Sequence, residues 1–321
     1  MSNSQSQSPL EVAIGVALDC HGRVLVACRP DGKTSAGQWE FPGGKIEAGE
    51  SAREALGREL DEEAGIRVQR ARPLIRFAHG LGAVPVRLNV FVVEDWAGRV
   101  HGREGQLVRF VQPATMRDPK ALPATEVILN ALALPTDYLL TPPLAGSVDE
   151  ADWLARLDKA LATGIRWLRL RQPKLSDTAY QALAESVIAR AARVGASVML
   201  DRDAAMVDRL GAAGLHWPAK ALKQELSRPV SLDSWFALST HNAFELGQAV
   251  EAGADFATLS PVRATSTHPG VVGMGWPEWL WNRGDKALPV YALGGVMPKD
   301  RETARCHNAQ GIAAIRGLWP N

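Results

Sequence analysis

The sequence predicts two domains, of α/β and α+β class, the second a closed (β/α)8 barrel. Three observations carry this expectation. At 321 residues, two domains are the default organisation. One motif-rich helix dominates the first part, whereas from about Thr136 onward strand-like and helix-like segments alternate. Pro135 and then Thr141-Pro142-Pro143 punctuate the join, which sets expected domains at 1–134 and 135–321.

Met1 to Pro9 is Ser/Gln-rich without an apolar run and reads as a disordered tail, not a signal peptide. Leu25-Val26 reads as a strand ending at Arg29. A helix is then expected from Ser51. Ser51 and Glu54 form a capping box, Ala52, Ala55, Leu56, Leu60 and Ala64 make an apolar stripe, and Gly65 supplies the left-handed stop. The helix lies inside the pattern Gly-x5-Glu-x7-Arg-Glu-Leu-x-Glu-Glu-x-Gly-Ile from Gly44 to Ile66. Glu59, Glu62 and Glu63 stand at i, i+3 and i+4 and project from one face. Like charges this close repel unless a cation sits among them, and hard divalent ions such as Mg²⁺ or Mn²⁺ are the usual solution for oxygen donors. A solvated acidic face is the plainer reading, but it leaves Phe41-Pro42-Gly43-Gly44, Glu50 and Arg58 unexplained. A helical pattern from Glu126 to Leu132 closes this half.

In the second half the strand candidates are Tyr138 to Leu140, Trp167 to Leu170, Ser197 to Leu200, Gly214 to His216, Phe236 to Ser239, Phe256 to Ser260, Val290 to Leu293 and Gly311 to Ile315. Helices are expected at Thr178 to Val194 and Ala204 to Leu210. Such alternation favours parallel strands joined by crossover helices, and eight units favour closure. The segment is short for that fold, so its helices must be trimmed.

A hydrophobic content of 46% suffices for packed cores, and a net charge of +1 gives no electrostatic reason to expect a nucleic acid polymer as partner. No stretch approaches the length of a membrane span. Cys20, Cys28 and Cys306 have no metal spacing and are expected to be reduced, buried small hydrophobes of a cytoplasmic protein. The histidines share no His-x3-His spacing. Trp276, Trp279 and Trp281 are expected in core or lid packing.

The pattern from Gly44 to Ile66 matches the Nudix box, and the surrounding chain resembles the MutT branch of that superfamily. The likeness takes in Ile14 to Val16, the Leu25-Val26 strand ending at Arg29, Trp39 to Lys45, Val93 to Trp96, Gly102 to Gln106 and Leu122 to Glu126. It implies an α/β/α sandwich and hydrolysis of a nucleoside triphosphate to the monophosphate and pyrophosphate, with 8-oxo-dGTP as the type substrate. It implies Mg²⁺ or Mn²⁺ held by the Gly43 carbonyl, Glu59, Glu62, Glu63 and Glu104. Arg58 would orient the glutamates, Glu59 or Glu104 would accept a proton, and Glu50 would support the loop–helix junction. Arg29, Glu40, Phe41, Pro42, Gly43 and Thr125 would line the nucleotide pocket. Thr125 stands where the MutT pattern has asparagine, and a hydroxyl cannot make the two-point contact of an amide.

The second half is similar to the thiamine phosphate synthase/TenI family. The likeness rests on Arg169-Leu170-Arg171 with Lys174, Met199 to Arg202, Gly214-Leu215-His216, Ala237 to Asn242, Ser260 to Pro269, and Ala292 to Val296. It implies a barrel with a phosphate site at Arg171, Thr265, Thr267, Gly294 and Gly295. The synthase pattern is incomplete: Leu200 replaces an asparagine, Ala221 a metal-binding aspartate, His268 a lysine and Arg316 a serine. A structural or regulatory barrel is therefore expected rather than a full synthase, with a thiamine-phosphate-like molecule as its ligand. Three functions follow as expectations. They are a hydrolase for oxidised nucleotides, a hydrolase of thiamine-related pyrophosphates, and a two-headed protein whose barrel binds or forms thiamine phosphate on its own.

Overall fold

A computed structural model describes residues 9–29, 37–80, 85–116, 123–144, 149–223, 227–265 and 270–320. The chain divides into two compact units, Met1–Leu132 and Ala133–Asn321.

The first unit contains β1 (Leu10–Ala17), β2 (Val24–Cys28), β3 (Trp39–Glu40), β4 (Gly43–Lys45), α1 (Ala52–Ala64), β5 (Arg67–Gly80), β6 (Pro85–Ala97), β7 (Val108–Val111) and α2 (Pro123–Ala133). A mixed sheet runs in the order β4-β1-β6-β5, with β1 parallel to β6 and the outer pairs antiparallel. A smaller antiparallel sheet runs β3-β2-β7. Local chemistry sets the bounds of α1. The Ser51 side chain accepts from the Glu54 amide, the Glu54 carboxylate accepts from the Ser51 amide, and Gly65 ends the helix at φ 68°. Ala55, Leu56, Leu60 and Ala64 are fully buried against Ala13, Ala17, Leu25 and Val93, so the polar flank of α1 is left for the acidic residues.

The second unit is a closed barrel of eight parallel strands. They are β8 (Asp137–Leu140), β9 (Trp167–Arg169), β10 (Ser197–Leu200), β11 (Gly214–Trp217), β12 (Trp235–Thr240), β13 (Phe256–Leu259), β14 (Val290–Leu293) and β15 (Gly311–Ala314). Alternate residues divide between two cores, as the two-residue period of a strand requires. Tyr138, Trp167, Met199, Phe256 and Tyr291 fill the interior. Leu139, Leu168, Leu200, Phe236 and Val290 pack outward against α3 (Glu150–Ala162), α4 (Asp177–Ala192), α5 (Ala204–Leu210), α6 (Ala243–Glu251), α7 (Gly275–Arg283) and α8 (Arg301–Cys306). The helices are indeed trimmed: α5 and α8 span two turns or fewer, and a 3-10 turn at Ala219–Lys223 follows β11.

Two expectations are corrected here. The cysteines are free, but Cys20 and Cys306 are exposed and Cys28 is half-buried, because Cys20 lies in the turn between β1 and β2 while Cys28 and Cys306 are the last residues of β2 and of the helix Arg301–Cys306. The tryptophans of α7 divide: Trp279 is fully buried and donates to the Leu259 carbonyl at 3.1 Å, whereas Trp281 is 75% exposed. Among the described residues no helix is long and apolar enough to cross a membrane.

Candidate active site

The first unit gathers its acidic residues around one arginine. Arg58, on α1, donates from Nη1 to Glu59 Oε1 at 2.8 Å and to Glu62 Oε2 at 3.2 Å. Its Nε and Nη2 take both oxygens of Glu50 at 3.1 and 3.0 Å, and Nη2 also reaches the Lys45 carbonyl at 2.9 Å. Glu50 itself accepts from the Glu47 amide, so it braces the loop before α1. Five contacts on one planar guanidinium leave little rotational freedom, and they hold Glu59 and Glu62 relative to the β4 strand. These bonds raise the Arg58 pKa further above its ordinary value, with Glu50 the largest cause and Glu59 the next.

Glu59 lies directly over β4. A Cβ built on Gly44 would fall 2.3 Å from the Glu59 carboxyl carbon, so glycine is required there for the carboxylate to rest on the backbone. Glu63 faces the same strand and accepts the Gly43 amide at 3.0 Å. This contact uses the Gly43 N–H; the carbonyl expected to meet a metal is the other group of the same residue. Glu62 is more outlying, with 53% of its side chain exposed. Glu104 approaches from the loop after β6, and that loop is anchored to the end of α1. The Glu104 amide donates to Gln106 Oε1 at 2.9 Å, and Gln106 Nε2 donates to the Glu63 carbonyl at 3.0 Å. Gln106 is 8% exposed and was not among the expected site residues; its Gly-x-x-x-Gln spacing from Gly102 was the available signal.

Electrostatics show what this arrangement invites. Burial pushes the Glu63 carboxyl up to about 7; the Gly43 amide opposes this, and the carboxylates of Glu40, Glu59 and Glu104 add to it. Among the described residues no three acidic, histidine or cysteine side chains converge tightly enough to hold a metal ion. Instead Glu59 and Glu62 share Arg58 while Glu63 takes a backbone amide. A half-buried carboxylate facing three others is nevertheless the donor set that a hard divalent cation relieves, since every available ligand atom is oxygen. The residues therefore fit such an ion in chemistry and charge.

A pH dependence follows from Glu63. Its pKa in the folded protein lies above the ordinary 4.5, so between 4.5 and about 7 the folded chain holds a proton that the unfolded chain has lost. In the presence of a chelator, stability is expected to fall as pH rises through that window. Glu63→Gln should flatten the decline in thermal melts.

The residues expected to meet the nucleotide lie on β2, β3 and α2. Arg29 Nε is 3.2 Å from Glu40 Oε1, which follows from the pairing of Ala27 with Glu40 and Cys28 with Trp39. Arg109 stacks over the Trp39 ring at 3.9 Å. Phe41 is 5% exposed and belongs to the core, and the Pro42 carbonyl accepts the Gly15 amide. Thr125 is 3% exposed in the first turn of α2.

In the second unit a cavity of about 820 Å³ opens at the carboxyl ends of the strands. Arg171, Thr265, Gly294 and Gly295 all line it; Thr267 falls outside the described residues. The two glycines have an immediate packing reason. A Cβ on Gly294 would stand 2.7 Å from Pro261 Cα, and one on Gly295 2.7 Å from Arg263 Cβ. That loop is pinned by Arg263, whose two Nη atoms bind both oxygens of Asp300 at 2.8 and 2.9 Å. At the cavity floor Arg169 donates to Ser239 Oγ at 3.1 Å, and His216 bridges Ser239 (3.0 Å) and the Tyr138 hydroxyl (2.7 Å).

Comparison with known proteins agrees with this division. The NUDIX domain family matches residues 9–132, and the family described as thiamine monophosphate synthase matches residues 138–318. The chain is similar to the 8-oxo-dGTP diphosphatase of Proteus vulgaris, at 40% identity over 96 residues, covering 30% of this chain and 86% of that protein. It is similar to the CTP pyrophosphohydrolase of Escherichia coli, at 31% identity over 118 residues, 37% of this chain and 87% of that protein. Its second half is similar to the thiamine-phosphate synthase of Thermus thermophilus, at 30% identity over 184 residues, 56% of this chain and 87% of that protein.

Proposed function

The chain belongs to the NUDIX domain family through residues 9–132 and to the thiamine monophosphate synthase family through residues 138–318, and on that footing we propose a pyrophosphohydrolase that cleans the nucleotide pool. Its substrates would be oxidised nucleoside triphosphates such as 8-oxo-dGTP, cleaved to the monophosphate and pyrophosphate. The observation that carries this reading is the gathering beside β4 of Glu59 and Glu62, ordered by Arg58, with Glu63, which takes the Gly43 amide and faces Glu59 and Glu104. The diphosphatase and pyrophosphohydrolase relatives support the same chemistry.

Glu59, Glu62, Glu63 and Glu104 would hold Mg²⁺ or Mn²⁺, which when bound neutralises phosphate oxygens and makes water a better nucleophile. Arg58 would keep Glu59 and Glu62 in register with the backbone of Gly43 and Gly44. Glu59 or Glu104 would accept the proton of the attacking water. Arg29 with Glu40, the Phe41-Pro42-Gly43 segment and Thr125 would receive the nucleoside.

Thr125 sets an expectation on specificity. Thr125→Asn is expected to raise kcat/KM for 8-oxo-dGTP over dGTP by roughly 5- to 150-fold, since a base edge left unpaired in a pocket built for it costs about 1–3 kcal/mol. A second reading, hydrolysis of thiamine-related pyrophosphates, is favoured by the match of residues 138–318 to a thiamine-family barrel. A kcat/KM panel of 8-oxo-dGTP, dGTP, CTP and thiamine diphosphate on the full chain separates the two. Preference for 8-oxo-dGTP supports the first reading, and preference for thiamine diphosphate replaces it with the second.

A further inference from the structure

Of Glu59, Glu62, Glu63 and Glu104, the last alone lies outside α1. Its place is set by the connection between β6 and β7, which closes on itself. A Cβ on Gly102 would fall 1.9 Å from the Gln106 carbonyl oxygen, and Gly105 turns at φ 82°. The closed loop covers the carboxyl end of α1, a helix with no basic residue in its own last turn. The His101 amide donates to the Ala64 carbonyl at 3.1 Å, and the Arg103 amide to the Glu63 carbonyl at 3.3 Å. Arg103 Nη1 donates to the Asp61 carbonyl at 3.1 Å and to its carboxylate at 2.9 Å. Carbonyls that a helix end leaves open are thereby filled, and the positive charge that such an end favours is supplied, from outside the helix.

Gln106 ties this cap to the acidic group. Its Oε1 accepts the Glu104 amide at 2.9 Å and its Nε2 donates to the Glu63 carbonyl at 3.0 Å, so one amide plane spans the two residues. The two ends of that amide are not interchangeable. An N–H faces its oxygen and a carbonyl faces its nitrogen, and a carboxylate at position 106 could not make both bonds. The side chain is 8% exposed, so water competes poorly for either. Beyond Gln106 the Leu107 carbonyl accepts the Cys28 amide at 2.8 Å, which fixes the far end of the loop to β2. Held in this way, the Glu104 carboxylate is near enough to act on that of Glu63.

We propose that Gln106 is a positioning residue that holds Glu104 toward Glu63, so that a divalent cation meets a carboxylate from the loop as well as those on α1. The proposal rests on the hydrolase reading, in which Glu104 is a metal ligand. Gln106 itself does not touch the ion and acts through Glu104. A group that orients a metal ligand in this manner is worth about 10- to 100-fold in metal affinity.

Calorimetric titration of the full chain with Mn²⁺, without nucleotide, tests it in wild type, Gln106→Met, Glu104→Gln and the double variant. Methionine fills a similar volume and makes neither bond; Gln106→Ala is the second variant, and a thermal melt accompanies each. Gln106→Met and Glu104→Gln are each expected to weaken Mn²⁺ binding about tenfold or more. The double variant should bind within about twofold of Glu104→Gln, because Gln106 then has no ligand to position. Wild-type affinity in Gln106→Met and Gln106→Ala, beside weakened binding in Glu104→Gln, would overturn the proposal and leave the hydrolase reading intact. A double variant weakened by both full factors would also overturn it, since additive losses mean that Gln106 does not act through Glu104. Unchanged binding in Glu104→Gln would remove Glu104 from the ion and overturn that part of the hydrolase reading together with the proposal.

Discussion

Glu62→Gln is expected to lower kcat for nucleoside triphosphate hydrolysis by about 10²–10⁴-fold, the loss that removal of a charged group acting on the transition state brings. The substitution keeps size and shape and removes only the negative charge. Because 53% of the Glu62 side chain is exposed and, among the described residues, it is held by Arg58 at 3.2 Å, the fold should be indifferent to the change. An unaltered thermal midpoint with collapsed turnover separates a functional carboxylate from a solvated one. If the acidic face of α1 served solubility alone, the variant would retain full activity.

The second large effect is expected from Gly44→Ala. The added methyl would stand 2.3 Å from the Glu59 carboxyl, and β4 cannot retreat, since Val12, Ala13 and Ile14 of β1 pair with Lys45, Gly44 and Gly43. Glu59 must then move off the strand and away from Arg58. A displacement of about 1 Å in a group that positions reactants costs on the order of 10²-fold in rate. Turnover of the purified variant, beside its circular dichroism spectrum, checks this. The expected pattern is a native spectrum with a loss in kcat of that order, larger than any change in KM.

These two expectations rest on features of differing legibility. The bounds of α1 follow from its own sequence, because a capping box and a left-handed glycine act within one turn. Strands β10 and β14 and helix α5 fall at their expected bounds for a related reason: short apolar runs there are flanked by strong breakers. Helix α3 is absent from the sequence expectations although its signal exists, since Trp153, Leu154, Leu157, Ala160 and Leu161 recur at helical spacing. Helix α7 is better hidden, opening on Gly275-Trp276-Pro277, and α8 is only six residues long.

Contacts between distant segments were the illegible part. That Glu63 takes the amide of Gly43 depends on how α1 lies over β4. That Arg29 meets Glu40 depends on the register of β2 with β3. The gathering of Arg171, Thr265, Gly294 and Gly295 at one cavity depends on closure of the barrel around three separate strands, which no local pattern encodes. Burial of the cysteines was misjudged for the same reason, because residue type reports a preference while exposure is set by the element's position.

The central claim is that the carboxylates around Arg58 cleave a nucleoside triphosphate between its α- and β-phosphates. Chromatographic analysis of 8-oxo-dGTP incubated with the full chain and Mg²⁺, beside Glu62→Gln, tests it most directly. The expected result is equimolar 8-oxo-dGMP and pyrophosphate from the wild type and almost none from the variant. Release of 8-oxo-dGDP with inorganic phosphate, or equal turnover by both proteins, would contradict it.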